Sequence, residues 1–150
     1  MLRFETPAPI FEAMPIIAQG ARLTRFMRRI SLMQLFNSET VLFRAPDGAP
    51  IAVLGFYPMP DEGGHEVAEV WFACRRDLAD HMIGFVRAAR LTCARMAEHG
   101  SVVLRAFVRE GHAPGARIAT MTHFQRVDVL DGWELWEWSG GDERHCESGN

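Results

Sequence analysis

The stretch "VWFACRRDLADHMIGF", Val70 to Phe85, sets the architecture. Val70 to Cys74 is apolar on both faces, as in a central strand covered on both sides. Arg75 and Arg76 form a basic turn, and Asp77 stands where a helix N-cap is expected. Leu78, Met82, Phe85, Ala89, Cys93 and Met96 then recur along one stripe, predicting a long helix to about His99, ended by Gly100. A buried strand passing through a short turn into a helix is where many α/β proteins hold phosphate on backbone N–H groups. This turn contains no glycine to let the backbone approach an anion.

Upstream of that strand the pattern is an antiparallel meander. "ETVLFRA" and "PIAVLGFY" flank a "PDG" hairpin turn, "MPDEGG" reads as the next turn, and "HEVAEVWFACR" as the third strand. Before them, Leu2–Glu5 reads as a short strand, broken by Pro7 and Pro9. Two amphipathic helices follow, one marked by Ile10, Met14 and Ile17, the other by Leu23, Phe26, Met27, Ile30 and Met33, with a break near Gly20. Downstream, "SVVLRAFV" is a strand, "EGHAPG" a loop and Ala116–His123 a short helix. "RVDVLDGWELWEW" is a strand, an Asp-Gly turn and a strand. With no repeat or linker, the order describes one α/β domain over residues 1–138 and a polar tail over 139–150.

The 150-residue chain is 48% hydrophobic and 23% charged, a globular composition, with a net charge of -3 that gives no general attraction to nucleic acid. Every basic residue is arginine, and two clusters stand out, Arg22/Arg25/Arg28/Arg29 and Arg75/Arg76/Arg87/Arg90. Guanidinium forks suit phosphate and carboxylate, although the first cluster reads as a solvated helix face before a binding surface. Cys74, Cys93 and Cys146 form no CxxC and no metal-ligand spacing with the histidines, so no metal is expected; Cys74 and Cys93, in apolar segments, read as reduced, buried thiols of a cytoplasmic protein. The N-terminus has no secretory signal pattern, and no apolar run approaches the ~20 residues of a membrane span.

This order resembles the Gcn5-related N-acetyltransferase (GNAT) fold: a mixed, mainly antiparallel central sheet flanked by helices, here from about Phe4 to Trp138. "AEVWFACRRDLADHMIGFVRAARLTCARMAEHG" and "ARIATMTHFQRVDV" are most similar to divergent GNAT-like proteins of tailed bacteriophages, some of them virion components. The resemblance implies acetyl-CoA as cofactor, bound along Trp71, Ala73 and Cys74, with its pyrophosphate at a turn of pattern Q/R-x-x-G-x-G/A. Aligned here, Arg76 keeps the leading position, Ala79 and His81 replace the two small residues, and Arg75 adds a donor. Asp77 and Asp80 add unfavourable charge beside an anion, and a solvated turn also accounts for Arg75 and Arg76.

Amine acetylation needs a base, which the resemblance puts on or near the central strand. Glu69 sits there, sharing a face with Trp71 and Ala73, where desolvation would raise its pKa; Glu66 lies three residues earlier. Both also fit the solvated outer end of a strand. The thiolate-protonating tyrosine of the family lies five residues before the Phe of a "GF" element; with His123-Phe124 at that element, the position holds Ala119. His112 is the remaining proton-donor candidate, and the one tyrosine, Tyr57, lies remote from the motif. Two functions follow: acetyl-CoA-dependent N-acetyl transfer to an amine, or an inactive GNAT-like binding or assembly module of a phage-type particle. The second would meet a protein partner through the arginine-rich helix or through Trp133, Trp136 and Trp138, of which Trp136 and Trp138 pair as core by alternation.

Overall fold

The computed structural model describes residues 2–19, 25–98 and 102–140. Arg22, the break near Gly20, the helix stop at Gly100, Cys146 and nearly all of the polar tail lie outside them. The elements are β1 (Arg3–Glu5), α1 (Ile10–Gln19), α2 (Arg25–Asn37), β2 (Glu39–Arg44), β3 (Pro50–Glu62), β4 (His65–Cys74), a 3-10 segment (Arg76–His81), α3 (Met82–Glu98), β5 (Val103–Arg109), α4 (Ala113–Met121), β6 (Phe124–Leu130) and β7 (Trp133–Trp138). They build one α/β domain on a seven-stranded sheet of order β1-β2-β3-β4-β5-β7-β6. Every neighbouring pair is antiparallel except β4 and β5, which α3 joins as a crossover.

Alternation along the strands divides the core into two layers. On one face, Leu42, Val53, Trp71 and Ala73 pack under Ala13 and Ile16 of α1 and Leu35 of α2. On the other, Phe43, Leu54, Val70, Leu104, Val108 and Trp136 pack under α3 and α4 through Phe85, Ala89, Cys93 and Ala119. The Phe43 and Phe85 rings meet edge to face, with centroids 5.2 Å apart. Trp136 is buried and Trp138 half-buried on this face, as alternation requires, whereas Trp133 points the other way and is exposed.

Several boundaries differ from the sequence reading, each for a local reason. The hairpin between β3 and β4 closes on Gly63-Gly64 alone, both left-handed at φ +57° and +80°, so "MPDE" is strand and not turn. Pro58 and Pro60 are tolerated because β2 stops pairing at Phe56; beyond it β3 has an open edge where a missing N–H breaks no ladder. Asp77 is not the N-cap of α3: Arg75 is extended (φ -82°, ψ 163°), a 3-10 segment follows, and α3 begins only at Met82. Helix α4 starts three residues earlier than expected, because Pro114 fits its first turn and His112 caps it.

Candidate functional site

The parallel ladder between β4 and β5 is short. It pairs Val67 with Val103, Ala68 with Leu104 and Glu69 with Arg105, and then the strands part, although β4 continues to Cys74 and β5 to Arg109. The parting opens an apolar crevice of about 150 Å³ under α3 and α4, lined among others by Phe72, Phe85, Ala89, Gly115, Ala119 and Phe124. Small residues make room on its helical side, Ala89 of α3 and Gly115 and Ala119 of α4. Gly115 is held small by packing: a Cβ there would stand 2.7 Å from the His112 ring and 3.0 Å from Val108. Along the crevice, the edge of β4 that faced β5 has no ladder partner, leaving backbone donors and acceptors turned to the gap.

Glu69 stands where the strands part. It is half-buried, and burial alone pushes its carboxyl above the ordinary value. Glu66 is exposed and, by alternation, on the opposite face of β4, so the two glutamates do not converge. The register brings in two residues that sequence reasoning missed. Tyr57, expected to be remote, is the direct cross-strand neighbour of Glu69 on β3, and Arg105 is its neighbour on β5. Arg105 is already engaged: Nη2 donates to Glu62 at 2.7 Å and Nε to Glu137 at 3.0 Å. A hairpin register is invisible in sequence until the turn length is known, and the Gly63-Gly64 turn was the signal that would have supplied it.

The remaining candidates fall into three places. The Trp71 indole and the Ala73 side chain lie on the α1/α2 face; Trp71 lies across Gly55, where any Cβ would run into the ring, and its Nε1 donates to Ser38 Oγ at 2.9 Å. These two border the crevice through the backbone of β4 and not through their side chains. Cys74, Arg75 and Arg76 do come together, with Gln19 and Asp77, around a hollow at the end of β4. Arg75 Nε is 3.6 Å from Asp77 Oδ1, both half-exposed. Ala79 and His81 instead border a second hollow with Leu2, Pro46 and Gly84. The 3-10 geometry causes this separation, since it turns the segment away from the hollow of the arginines after one residue. Burial and Asp77 push the Cys74 thiol up, and burial pushes Cys93 up to about 12.

His112 is a cap: its Nδ1 accepts from Gly115 N–H at 3.1 Å, which leaves the imidazole proton on Nε2, outside the crevice lining. Ala119 does line the crevice, with Phe124 beside it. His123 has φ +68°, a left-handed conformation that glycine adopts at no steric cost, so the alignment of His123-Phe124 with a "GF" element agrees with the backbone. Thr122 also lines the crevice, but its hydroxyl donates within α4, to Ile118 O at 2.8 Å. Among the described residues no group of three metal-ligating side chains occurs, and no helix is long and apolar enough to cross a membrane.

No family model and no curated protein matches the chain. Solved structures do. An acetyltransferase of Bacillus subtilis in complex with CoA superposes with a TM-score of 0.70 at 11% identity, over 92% of this chain and 98% of that one. A protein of Desulfovibrio desulfuricans assigned as a GNAT-family acetyltransferase gives 0.68 at 13% identity, over 92% and 97%. A Campylobacter jejuni N-acetyltransferase in complex with acetyl coenzyme A gives 0.56 at 12%, over 91% and 97%. The chain therefore has the GNAT fold, over nearly its whole length and nearly the whole of those proteins. None of these three is a bacteriophage protein, and nothing in them bears on a particle.

Proposed function

We propose that the protein binds acetyl-CoA in the β4/β5 crevice and transfers its acetyl group to an amine, with Glu69 as base. The observation that carries this reading is the parting of β4 from β5 immediately after Glu69, which opens the apolar crevice on the α3/α4 side and leaves a half-buried carboxylate beside the gap, on the α1/α2 face. The crevice fits the acetyl end and the amide-bearing arm of the cofactor: Gly115, Ala119 and Ala89 leave room, and the unpaired edge of β4 accepts an extended amide chain as an added strand would be accepted. At the other end, Arg75 and Arg76 would hold the pyrophosphate by side-chain forks in place of a glycine cradle.

Acetyl-CoA supplies an activated thioester, whose C–S bond is exchanged for a C–N bond to the amine with release of the thiol. Glu69 takes the proton that an ammonium must lose before its nitrogen lone pair can attack, and its desolvated carboxyl is the more basic for it. Phe72, Phe85 and Phe124 exclude water from the crevice. Among the described residues no hydroxyl lining it is free to act as acid for the leaving sulfur: Ala119 has none, and that of Thr122 is donated to Ile118 and Ala119. The departing thiolate therefore takes its proton by way of water from the side of Glu69, which holds the proton lost by the ammonium. Ala119 and the glycine-free turn also support the second reading, a fold kept for binding without turnover.

Calorimetric or fluorescent melting with acetyl-CoA tests the first step. Millimolar acetyl-CoA should raise the Tm by several degrees, and Arg76→Ala should remove most of that shift. No shift in the parent protein sinks acyl-CoA binding altogether; a shift without thiol release for any amine establishes the second reading.

A further inference from the structure

The register places one polar row across five strands at the level where β4 and β5 part. Tyr57 of β3 is paired with Glu69 of β4, Glu69 with Arg105 of β5, Arg105 with Glu137 of β7, and Glu137 with Gln125 of β6. All five side chains point to the α1/α2 side of the sheet, opposite to α3 and α4. Helices α1 and α2 pack over β2, β3 and β4, and among the described residues no helix covers this face of β5, β7 and β6. One row further along, the uncovered face carries Phe107, 38% exposed, paired with half-buried Leu135; beyond them Trp133 is 46% exposed, with the Arg109 guanidinium over its ring.

The charges of this row are unequal. Three glutamates, Glu62, Glu69 and Glu137, stand against one arginine, Arg105, which is held by Glu62 at 2.7 Å and Glu137 at 3.0 Å and has Glu69 as its cross-strand neighbour. With one carboxylate on Nη2 and one on Nε, the Arg105 charge is more than balanced and its remaining N–H groups have no net positive charge behind them for an anionic ligand, while Glu69 has no cation paired with it among the described residues. A row with that balance attracts an ammonium and repels a carboxylate or phosphate attached close to it. The neighbouring Phe107–Leu135 surface is apolar and accepts a carbon body, not a polyhydroxylated one.

We propose that the Tyr57–Glu69–Arg105–Glu137 row, with Phe107, is the acceptor site, and that it takes primary amines with an aryl or alkyl body and no acidic group beside the nitrogen. This rests on the acyl-transfer reading for its meaning, but its test does not. The test pair is 2-phenylethylamine and L-phenylalanine, which share a body and differ by the α-carboxylate, with ethanolamine as the amine lacking an apolar body. Binding is measured by calorimetry and by NMR shifts in the full chain, without acetyl-CoA.

2-Phenylethylamine should bind at least tenfold more tightly than either of the others. Glu69→Gln should abolish that preference over L-phenylalanine, and Phe107→Ala should remove the preference over ethanolamine. Glu137→Gln frees one side of Arg105 and should raise the affinity for L-phenylalanine several-fold, a gain that no general loss of structure would produce. Equal or tighter binding of L-phenylalanine by the parent protein overturns the proposal and leaves acyl transfer standing. So does absence of binding by all three amines. A dimer that Phe107→Glu dissociates, in a protein binding no amine, assigns the uncovered face to a second copy instead. If the amines bind as described while acetyl-CoA does not, the site stands and the acyl-transfer reading falls.

Discussion

At its floor the crevice is bounded by ladders on both sides of β4, with Glu69 registered between Tyr57 and Arg105. Beyond the end of β4, at the proposed pyrophosphate mouth, the Arg75–His81 turn is anchored by the Arg75 N–H on Ile51 O and by buried Leu78, but its charged side chains have only a loose 3.6 Å contact between Arg75 and Asp77. The floor is built by register and burial, so its residues are placed by interactions distributed over four strands. The mouth is built by exposed charge, which water and salt weaken. Function at the floor should thus be sensitive to single atoms, and function at the mouth to ionic strength and to the sum of several charges.

The largest effect is expected at the floor. Glu69→Gln keeps the shape and removes the base, and should lower acetyl transfer by about 10²–10⁴-fold while leaving the acetyl-CoA melting shift in place. In the parent protein, kcat/KM should rise with pH through a limb lying above the ordinary carboxylate value, because burial holds the Glu69 proton. The same shift has a stability consequence with a definite sign. The folded protein binds this proton more tightly than the unfolded chain, so the contribution is full below the unfolded carboxylate range and is lost as pH rises through the raised folded value. Glu69→Gln should therefore melt higher than the parent at neutral pH and equal to it in acid. A parent and variant with the same turnover would remove Glu69 from the chemistry and erase the distinction between floor and mouth.

A smaller effect, on stability, tests the floor's packing. Gly55→Ala puts a methyl group where the Trp71 indole lies, and the ring cannot simply move because Ser38 holds its Nε1 at 2.9 Å. The expected cost is about 1–3 kcal/mol, with a change in tryptophan emission as Trp71 is displaced. An unchanged Tm would mean that the α1/α2 layer yields easily and that the floor is less rigid than its ladders imply.

This difference between floor and mouth also explains what was legible in the sequence. The strand Val70–Cys74, the helical stripe through Phe85, Ala89 and Cys93, and the Asp-Gly hairpin all follow from periodicity and turn chemistry, and the element order they gave is the order observed. The pairing of Tyr57 with Glu69 was hidden because "MPDEGG" read as a wide turn; with the turn reduced to Gly63-Gly64, β3 gains the residues that carry Tyr57 into line. Arg105 was hidden for the same reason in another form, since a parallel pair has no connecting turn to fix its register. Asp77 failed as a cap because a cap residue and a 3-10 residue share the same local preferences, and the choice was made by the extended Arg75, whose N–H donates to Ile51 O at 2.9 Å. Ala119 and His123 were read against a resemblance, and the crevice lining and the left-handed His123 agree with that alignment.

The smallest effect is expected at the mouth, at Asp77. Its carboxylate stands beside Arg75 and, through its charge, also raises the Cys74 thiol. Asp77→Asn removes a negative charge from the hollow that Cys74, Arg75 and Arg76 share and releases Arg75 from its contact, so two terms act in the same direction on a bound pyrophosphate. Both are exposed interactions, worth about 0–1 kcal/mol taken together, so acetyl-CoA affinity should rise by no more than about fivefold at low salt. The gain should shrink toward nothing as salt approaches 1 M, where the screening length is about 3 Å. Cys74 supplies an independent readout: with Asp77 neutral its thiol should ionise at lower pH and react faster with iodoacetamide, whether or not any cofactor binds. Faster alkylation without tighter acetyl-CoA binding would show that the charge was removed as intended and that Arg75 does not hold the pyrophosphate, leaving Arg76 as the mouth's one candidate fork.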